Sequence, residues 1–289
     1  MTDWRSLSAR ASFASHRLIG WIYWDPIALE NYGRLGITDG AVSYIVSRGA
    51  PLAPAGHQVV AASFYSISPL FIEFALATAG QCTTYDAITA ARNDAVATGL
   101  RRYTPEICDG LAELAEPLWD AADALPVSGR ALFAAHRLQP RPTEDRNLSA
   151  WLAINCIREW RGDTHFAVLA AEDVSGTQAG LLHNAFLNYP KEWIPRSRGA
   201  DDAAIEAAMA DLEMRGLATG GDVNDAGLAL RQRIEDRTDE LCERAWRLLG
   251  EDRTRHYLDL VEPVGSRLID RIDQTAGTEW MPAARERRT

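Results

Sequence analysis

The chain has 289 residues, 47% of them hydrophobic and 24% charged, with a formal net charge of -10. That balance excludes a disordered chain, which combines low hydrophobicity with high charge, and the length fits one large domain or two of ordinary size. The acidic total also argues against a surface given over to phosphate, because nucleic-acid binders draw most of their affinity from a basic face.

Periodicity predicts a helix over 3–23, with Leu7, Ala11, Leu18, Ile19 and Ile22 at three- and four-residue steps. Trp21, Tyr23 and Trp24 crowd its end, and Asp25-Pro26 stops it and starts another. Thr38 or Asp39 can cap DGAVSYIVSRG. The connector Arg48 to Gly56 holds two prolines and excludes continuous helix. Residues 57–79 are apolar nearly all round, which predicts burial on more than one side. Thr83 or Thr84, then Thr104-Pro105-Glu106, open two further helices, and GRALFAAHRL a third. QPRPTEDRN (139–147) is polar and carries two prolines, so it is read as a linker.

Beyond that linker, Leu148 to about Val174 reads as one long helix broken at Ser175-Gly176. Gly180 to Phe186 is the next helix, Tyr189 to Arg198 a loop, and Asp201 or Asp202 caps a third ending at Gly216. Leu217 to Thr219 can form a short strand, Gly220-Gly221 the turn, Val223 the return, and Asn224 or Asp225 the cap of a long helix. Helix, turn, helix, helix and hairpin over Arg158 to Gly227 is the layout of a winged helix-turn-helix. The fold expected is mainly α: a helical domain over 1–140, a winged-helix-like domain with a β-hairpin wing over 148–250, and a packing helix over 251–275. That last helix is expected to lie on the body or on a second subunit of a homodimer, and the tail MPAARERRT to fray.

Around the wing, LEMRGLATGGDVNDAGLALRQRIEDRTDEL resembles the MarR-type regulators. Leu212, Arg215-Gly216-Leu217, Gly220-Gly221, Val223-Asn224 and Gly227 stand where that pattern has its helix end, turn, cap and helix-opening glycine. This likeness covers roughly 158–245. More widely, the chain resembles a family of actinobacterial helix-turn-helix-like proteins. Arg48 to Pro54, the Arg161-Gly-Asp-x-His165 block, the His183 helix and the wing carry that likeness. The family pattern has a His before the first aromatic pair, where Gly20 stands here. The resemblance implies a fold more than an activity.

Chemistry concentrates at Arg158, Arg161, Asp163, His165 and His183. Arg161 and His165 are four apart and share a helix face, whereas Asp163 points elsewhere unless the helix distorts at Gly162. The arginines with a His donor suit an anionic ligand; ion pairs and helix-end bonds are the structural alternative. Trp21, Tyr23, Trp24 and Tyr65, with His57 and His16, are a second candidate lining, or else ordinary core. No HxxxH or ExxH spacing supports a metal, and no cofactor or nucleophile motif is present. Cys82, Cys108, Cys156 and Cys242 are scattered, as reduced thiols of a cytoplasmic protein would be. The N-terminus lacks the apolar run of a secretory signal, and no stretch of about 18 apolar residues would span a membrane.

The function expected first is small-molecule binding in a pocket between the two halves, in a sensor, accessory or resistance role. A MarR-like DNA-binding regulator is the second reading. DNA is disfavoured because 201–215 carries Asp201, Asp202, Glu206, Asp211 and Glu213 against Arg215 alone. An enzyme using Arg161, Asp163 and His165 is the third.

Overall fold

Capping chemistry sets most of the helix starts. Asp3, Asp25, Asp39, Thr84, Asp145, Ser175, Asp201 and Asn224 each accept a first-turn backbone amide, so their side chains satisfy donors the helix cannot. The computed structural model describes residues 2–288 and is mainly helical, with one two-stranded sheet.

In chain order come α1 (Trp4–Gly20), a 3-10 turn (Trp21–Trp24), α2 (Pro26–Arg34), α3 (Gly40–Gly49), α4 (His57–Phe64) and α5 (Pro69–Cys82). Then follow α6 (Tyr85–Tyr103), α7 (Cys108–Asp123), α8 (Ala131–Arg137) and α9 (Arg146–Ala171). The next group is α10 (Gly176–Leu187), α11 (Trp193–Ser197), α12 (Asp202–Met214), β1 (Ala218–Thr219) and β2 (Asp222–Val223). Last come α13 (Asp225–Leu249), α14 (Glu251–Val261) and α15 (Gly265–Thr275).

Two hydrophobic cores form along α9. Its N-terminal part, Leu148 to Trp160, enters a large core with α1 to α8, the end of α13 and the C-terminal helices. Val168 and Leu169 enter a smaller core with Leu181, Leu182, Ile205, Leu212, Ala218, Leu230 and Ile234. Each such Leu or Ile contributes about 1.5–3 kcal/mol by burial. The charged segment 158–165 therefore falls where one core hands over to the other.

The hairpin is antiparallel, pairing Ala218 with Val223 and Thr219 with Asp222. Gly220 and Gly221 both have positive φ (61° and 84°), the demand of a two-residue turn that follows the strand twist. Gly227 lets α13 lie against the hairpin, because a Cβ there would stand 2.3 Å from the Leu217 carbonyl oxygen.

Several expectations need correction. The α4–α5 segment is not buried on all sides: Leu70 is 77% and Phe74 55% exposed on the outer face of α5. An all-apolar sequence has no periodicity to say which face turns outward. The segment 251–275 is two helices rather than one, because Glu262–Val264 forms a 3-10 turn with Pro263 in it. The loop 189–198 contains α11. The tail does not fray within the described residues: Ala284 is buried, Arg285 pairs with Asp273, and Arg288 bonds the Leu187 carbonyl.

Candidate functional site

Residues 158, 161 and 165 recur at three- and four-residue steps, so one face of α9 carries Arg158, Arg161 and His165. That face meets α1, which supplies His16, and α13, which supplies Glu235, Thr238 and Asp239, while His183 of α10 stands nearby and bonds Arg231. The result is two linked charge clusters at the junction of the cores.

The inner cluster is centred on Glu159. Arg48 of α3 donates to it through Nε and Nη2 at 2.9 and 2.7 Å, and Arg158 through Nη1 at 2.6 Å. Arg158 Nε also donates to His16 Nδ1 at 3.3 Å. All of these residues are buried. Burial pushes the Glu159 carboxyl up, but Arg48 and Arg158 outweigh it and hold the group well below the usual carboxylate range. Burial, then Arg158, keeps His16 well below its ordinary value, so its ring is neutral. Behind this cluster His136 donates through Nε2 to the Arg48 carbonyl at 2.9 Å while Asn155 donates to its Nδ1. Burial lowers His136 to about 4.

The outer cluster is centred on Glu235 of α13. Arg161 Nη2 donates to Glu235 and, at 2.8 Å, to Asp239. Arg231 reaches the other Glu235 oxygen at 3.3 Å while its guanidinium covers the Phe186 ring at 3.8 Å. Arg161 Nε is buried without a partner beside a void of about 10 Å³ lined by Ser12, Ser15 and Trp246. A space of that size holds one water, which needs polar partners of this kind.

Two histidines stand beside the outer cluster, and their tautomers follow from their partners. Thr238 already donates its hydroxyl hydrogen to the Ile234 carbonyl, so His165 Nδ1 must donate to Thr238 Oγ1, at 3.0 Å. A neutral His165 then presents Nε2 as an acceptor. Arg231 donates to His183 Nδ1 at 3.3 Å, so a neutral His183 presents Nε2–H as a donor. Both rings are neutral at physiological pH: burial first, with neighbouring arginines, lowers His165 to about 4 and His183 to about 3. Both are only half-buried, and neither Nε2 has a partner among the described residues. Neither nitrogen is shut off from water, and both rings lie within the field of Arg198 and Arg231.

Arg198, at the end of α11, also acts on both imidazoles. It donates through Nη1 to Ser66 Oγ at 2.9 Å and pairs with no carboxylate among the described residues. The Ser66 side of that bond comes from an unusual turn: Tyr65 has φ 55° and ψ -62°, and Ser66 N bonds the Phe64 carbonyl at 2.6 Å. This is a γ-turn with positive φ at a non-glycine residue, a rare and strained geometry. Aromatic rings stand beside the inner cluster. Tyr23 lies edge-on to Tyr44 and Trp24, Tyr44 stacks on Trp24 at 5.4 Å, and Arg158 approaches the Tyr23 ring.

Of the residues singled out in the sequence, the structure brings together Arg158, Arg161, His165 and His183, with Tyr23 and Trp24 adjoining. It does not bring Asp163, which turns to α8 and accepts from Phe133 N at 2.9 Å. Burial raises the Asp163 carboxyl to about 7. The Arg161/Asp163/His165 constellation is thus not assembled: residue 163 is two positions from 161 and 165 on a regular helix, on another face. Trp21 is fully buried, edge-on to Tyr103 in the large core. His57 stands half-buried at the start of α4, 3.9 Å from Glu73. Tyr65 stacks on Phe166, donates to the Val174 carbonyl, and lines a separate open groove of about 600 Å³ with Ser175, Gln178 and Asp211. Sequence reasoning missed Arg48, Glu159, Arg198, Arg231 and Glu235 as members. Arg231 and Glu235 shared a periodic signal, four apart on α13, and Glu159 stands next to Arg158 on α9; Arg48 and Arg198 converge from distant segments. Among the described residues, no three His, Cys, Asp or Glu side chains converge as a metal site would need. No helix of these residues is long and apolar enough to cross a membrane.

A mainly helical chain that presents α10, α12 and a hairpin ahead of a long helix is of the helix-turn-helix class. The chain belongs to a helix-turn-helix family, whose model matches residues 8–275. No curated protein and no solved structure matches it. The matched span includes α1 to α8 as well as α9 to α13, so the family is defined by the whole assembly and not by the hairpin region alone.

Proposed function

We propose that this helix-turn-helix family member binds a small molecule in the recess between its two cores, as a cytoplasmic sensor, accessory or resistance protein. One observation carries the reading: two neutral imidazoles, one an acceptor and one a donor at Nε2, stand among arginines and aromatic rings with neither Nε2 taken by a protein partner. Ligand sites combine apolar walls with a few convergent polar groups in this way. In thermal-shift screening against metabolites, the wild type gains stability with a ligand class that His165→Ala no longer recognises. If no compound shifts either protein, the reading falls.

A second reading, MarR-like DNA binding through a winged helix-turn-helix, is favoured by family membership and by the order of α9, α10, α12, hairpin and α13. Charge opposes it. The outer face of α12 exposes Asp202, Glu206 and Glu213. Arg215 turns back to donate to the Asp173 and Glu172 carbonyls, and Arg196 is held by Glu192 and Asp202. DNA binding that weakens steeply with salt in an anisotropy titration would favour this reading over the first. A homodimer is compatible with either and is read by light scattering.

A further inference from the structure

The recess contains more positive than negative charge. Arg48 and Arg158 share Glu159; Arg161 uses Glu235 and Asp239, and Arg231 takes the remaining edge of Glu235. Arg198 alone is left with a neutral partner, the Ser66 hydroxyl. Its fork has five donors, and the Ser66 bond uses one. No carboxylate acts on it; its charged neighbour is Arg48, which repels it. Arg198 is half-buried, so its guanidinium keeps part of its water but has no anion to offset the repulsion of Arg48. The backbone around it is nevertheless built to hold it there. Ser68 N bonds the Arg198 carbonyl at 2.8 Å, and the strained turn at Tyr65 places Ser66 Oγ against the side chain. Strain of this kind persists where surrounding structure over-determines it, often around a ligand.

The geometry points to Arg198 as the docking point for an anionic group, a carboxylate or a phosphate, on the small molecule that the recess takes. His183 Nε2–H stands ready as a neutral second donor, and the half-buried Phe186 and Tyr44 rings lie nearby, each with one face already covered, Phe186 by Arg231 and Tyr44 by Trp24. Arg is suited to this role because its planar fork meets both oxygens of such a group at once. This inference rests on the recess reading and narrows it to one ligand chemistry.

The test compares wild type with Arg198→Gln and Arg198→Lys at low ionic strength, by calorimetry and thermal shift. The probes are inorganic phosphate, benzoate, phenyl phosphate and, as the neutral control, benzyl alcohol. At least one anion binds the wild type, Arg198→Gln weakens it 10-fold or more, and Arg198→Lys restores part of the loss. Benzyl alcohol responds equally in all three proteins. Phosphate alone and benzoate alone separate the two anion sources. Without ligand, Arg198→Gln melts at or above the wild-type temperature, because the uncompensated charge is gone. Unchanged anion affinity in Arg198→Gln overturns the inference, as does a lowered melting temperature with anion affinity intact. Binding of benzyl alcohol with no anion bound by the wild type overturns it too, yet leaves the recess reading standing. Silence from all four probes counts against both.

Discussion

The two cores solve the problem of buried charge differently. In the large core the central carboxylate is fully matched: Glu159 is flanked by two arginines, the Arg48 carbonyl is answered by His136, and the buried Arg92, which has no carboxylate, is closed in by the Ser47 carbonyl, Asn93 and Gln139. Toward the small core the matching thins. Arg231 has one long contact to Glu235, Arg198 has none, and two imidazoles keep a free nitrogen. Complete pairing specifies a structure, whereas incomplete pairing at a recess leaves interactions for something else to make.

The largest way to break this contrast is Glu159→Gln. It strips both Arg48 and Arg158 of their carboxylate inside the large core, and breaking a buried pair of this kind costs about 3–5 kcal/mol. Urea denaturation should show a lower midpoint with an unchanged slope, their product giving that loss; a loss under about 1 kcal/mol would mean the cluster is not dry.

Acid comes next. The unfolded chain protonates its histidines near pH 6.5, while folded His136 and His165 wait until about 4 and His183 until about 3. Folded histidines therefore hold fewer protons than unfolded ones in that window, and stability falls as pH drops from 6.5 toward 4. The slope is about 1.4 kcal/mol per pH unit for fully buried His136 and less for half-buried His165 and His183, which solvent screens. Asp163 works the other way. Its folded carboxyl takes a proton near pH 7 against 3.8 unfolded, so it favours folding as pH falls and offsets part of the loss. Melting temperatures across pH 4 to 8 read the balance: a net fall toward acid is expected, and Asp163→Asn should steepen it.

Gly227→Val sharpens the comparison from the other side. Its branched side chain would meet the Leu217 carbonyl and Val223, so about 1–3 kcal/mol is lost from overpacking. Amide exchange should quicken in α10, α12 and the hairpin while α1 and α7 stay protected; uniform loosening would mean that the cores unfold as one. The smallest effect is expected at the outer face of α5, where Leu70→Ser should change stability by less than about 0.5 kcal/mol because Leu70 is already in water.

Local chemistry was readable in the sequence wherever one segment sufficed. Asp39, Asp201 and Asn224 cap as their positions demand, Gly220-Gly221 turns the hairpin, and Gly227 admits the close approach of α13. So was the shared face of Arg158, Arg161 and His165, because helical period alone sets it. The misreadings came where two faces compete. Nothing in the run 57–79 says that Leu70 and Phe74 look outward. Pro263 reads equally as the end of one helix or the bend between two.

The sequence by itself determined most of the helices, their caps, the hairpin and which α9 residues point the same way, since each depends on neighbours a few residues apart. Tertiary structure alone decided the partners: Arg48 to Glu159 across 111 residues, Arg161 to Asp239 across 78, and Arg198 to Ser66 across 132. Whether a charge is matched depends on which distant chain arrives beside it. That is why an arginine left without an anion, such as Arg198, could not be told from the others until the fold was in view.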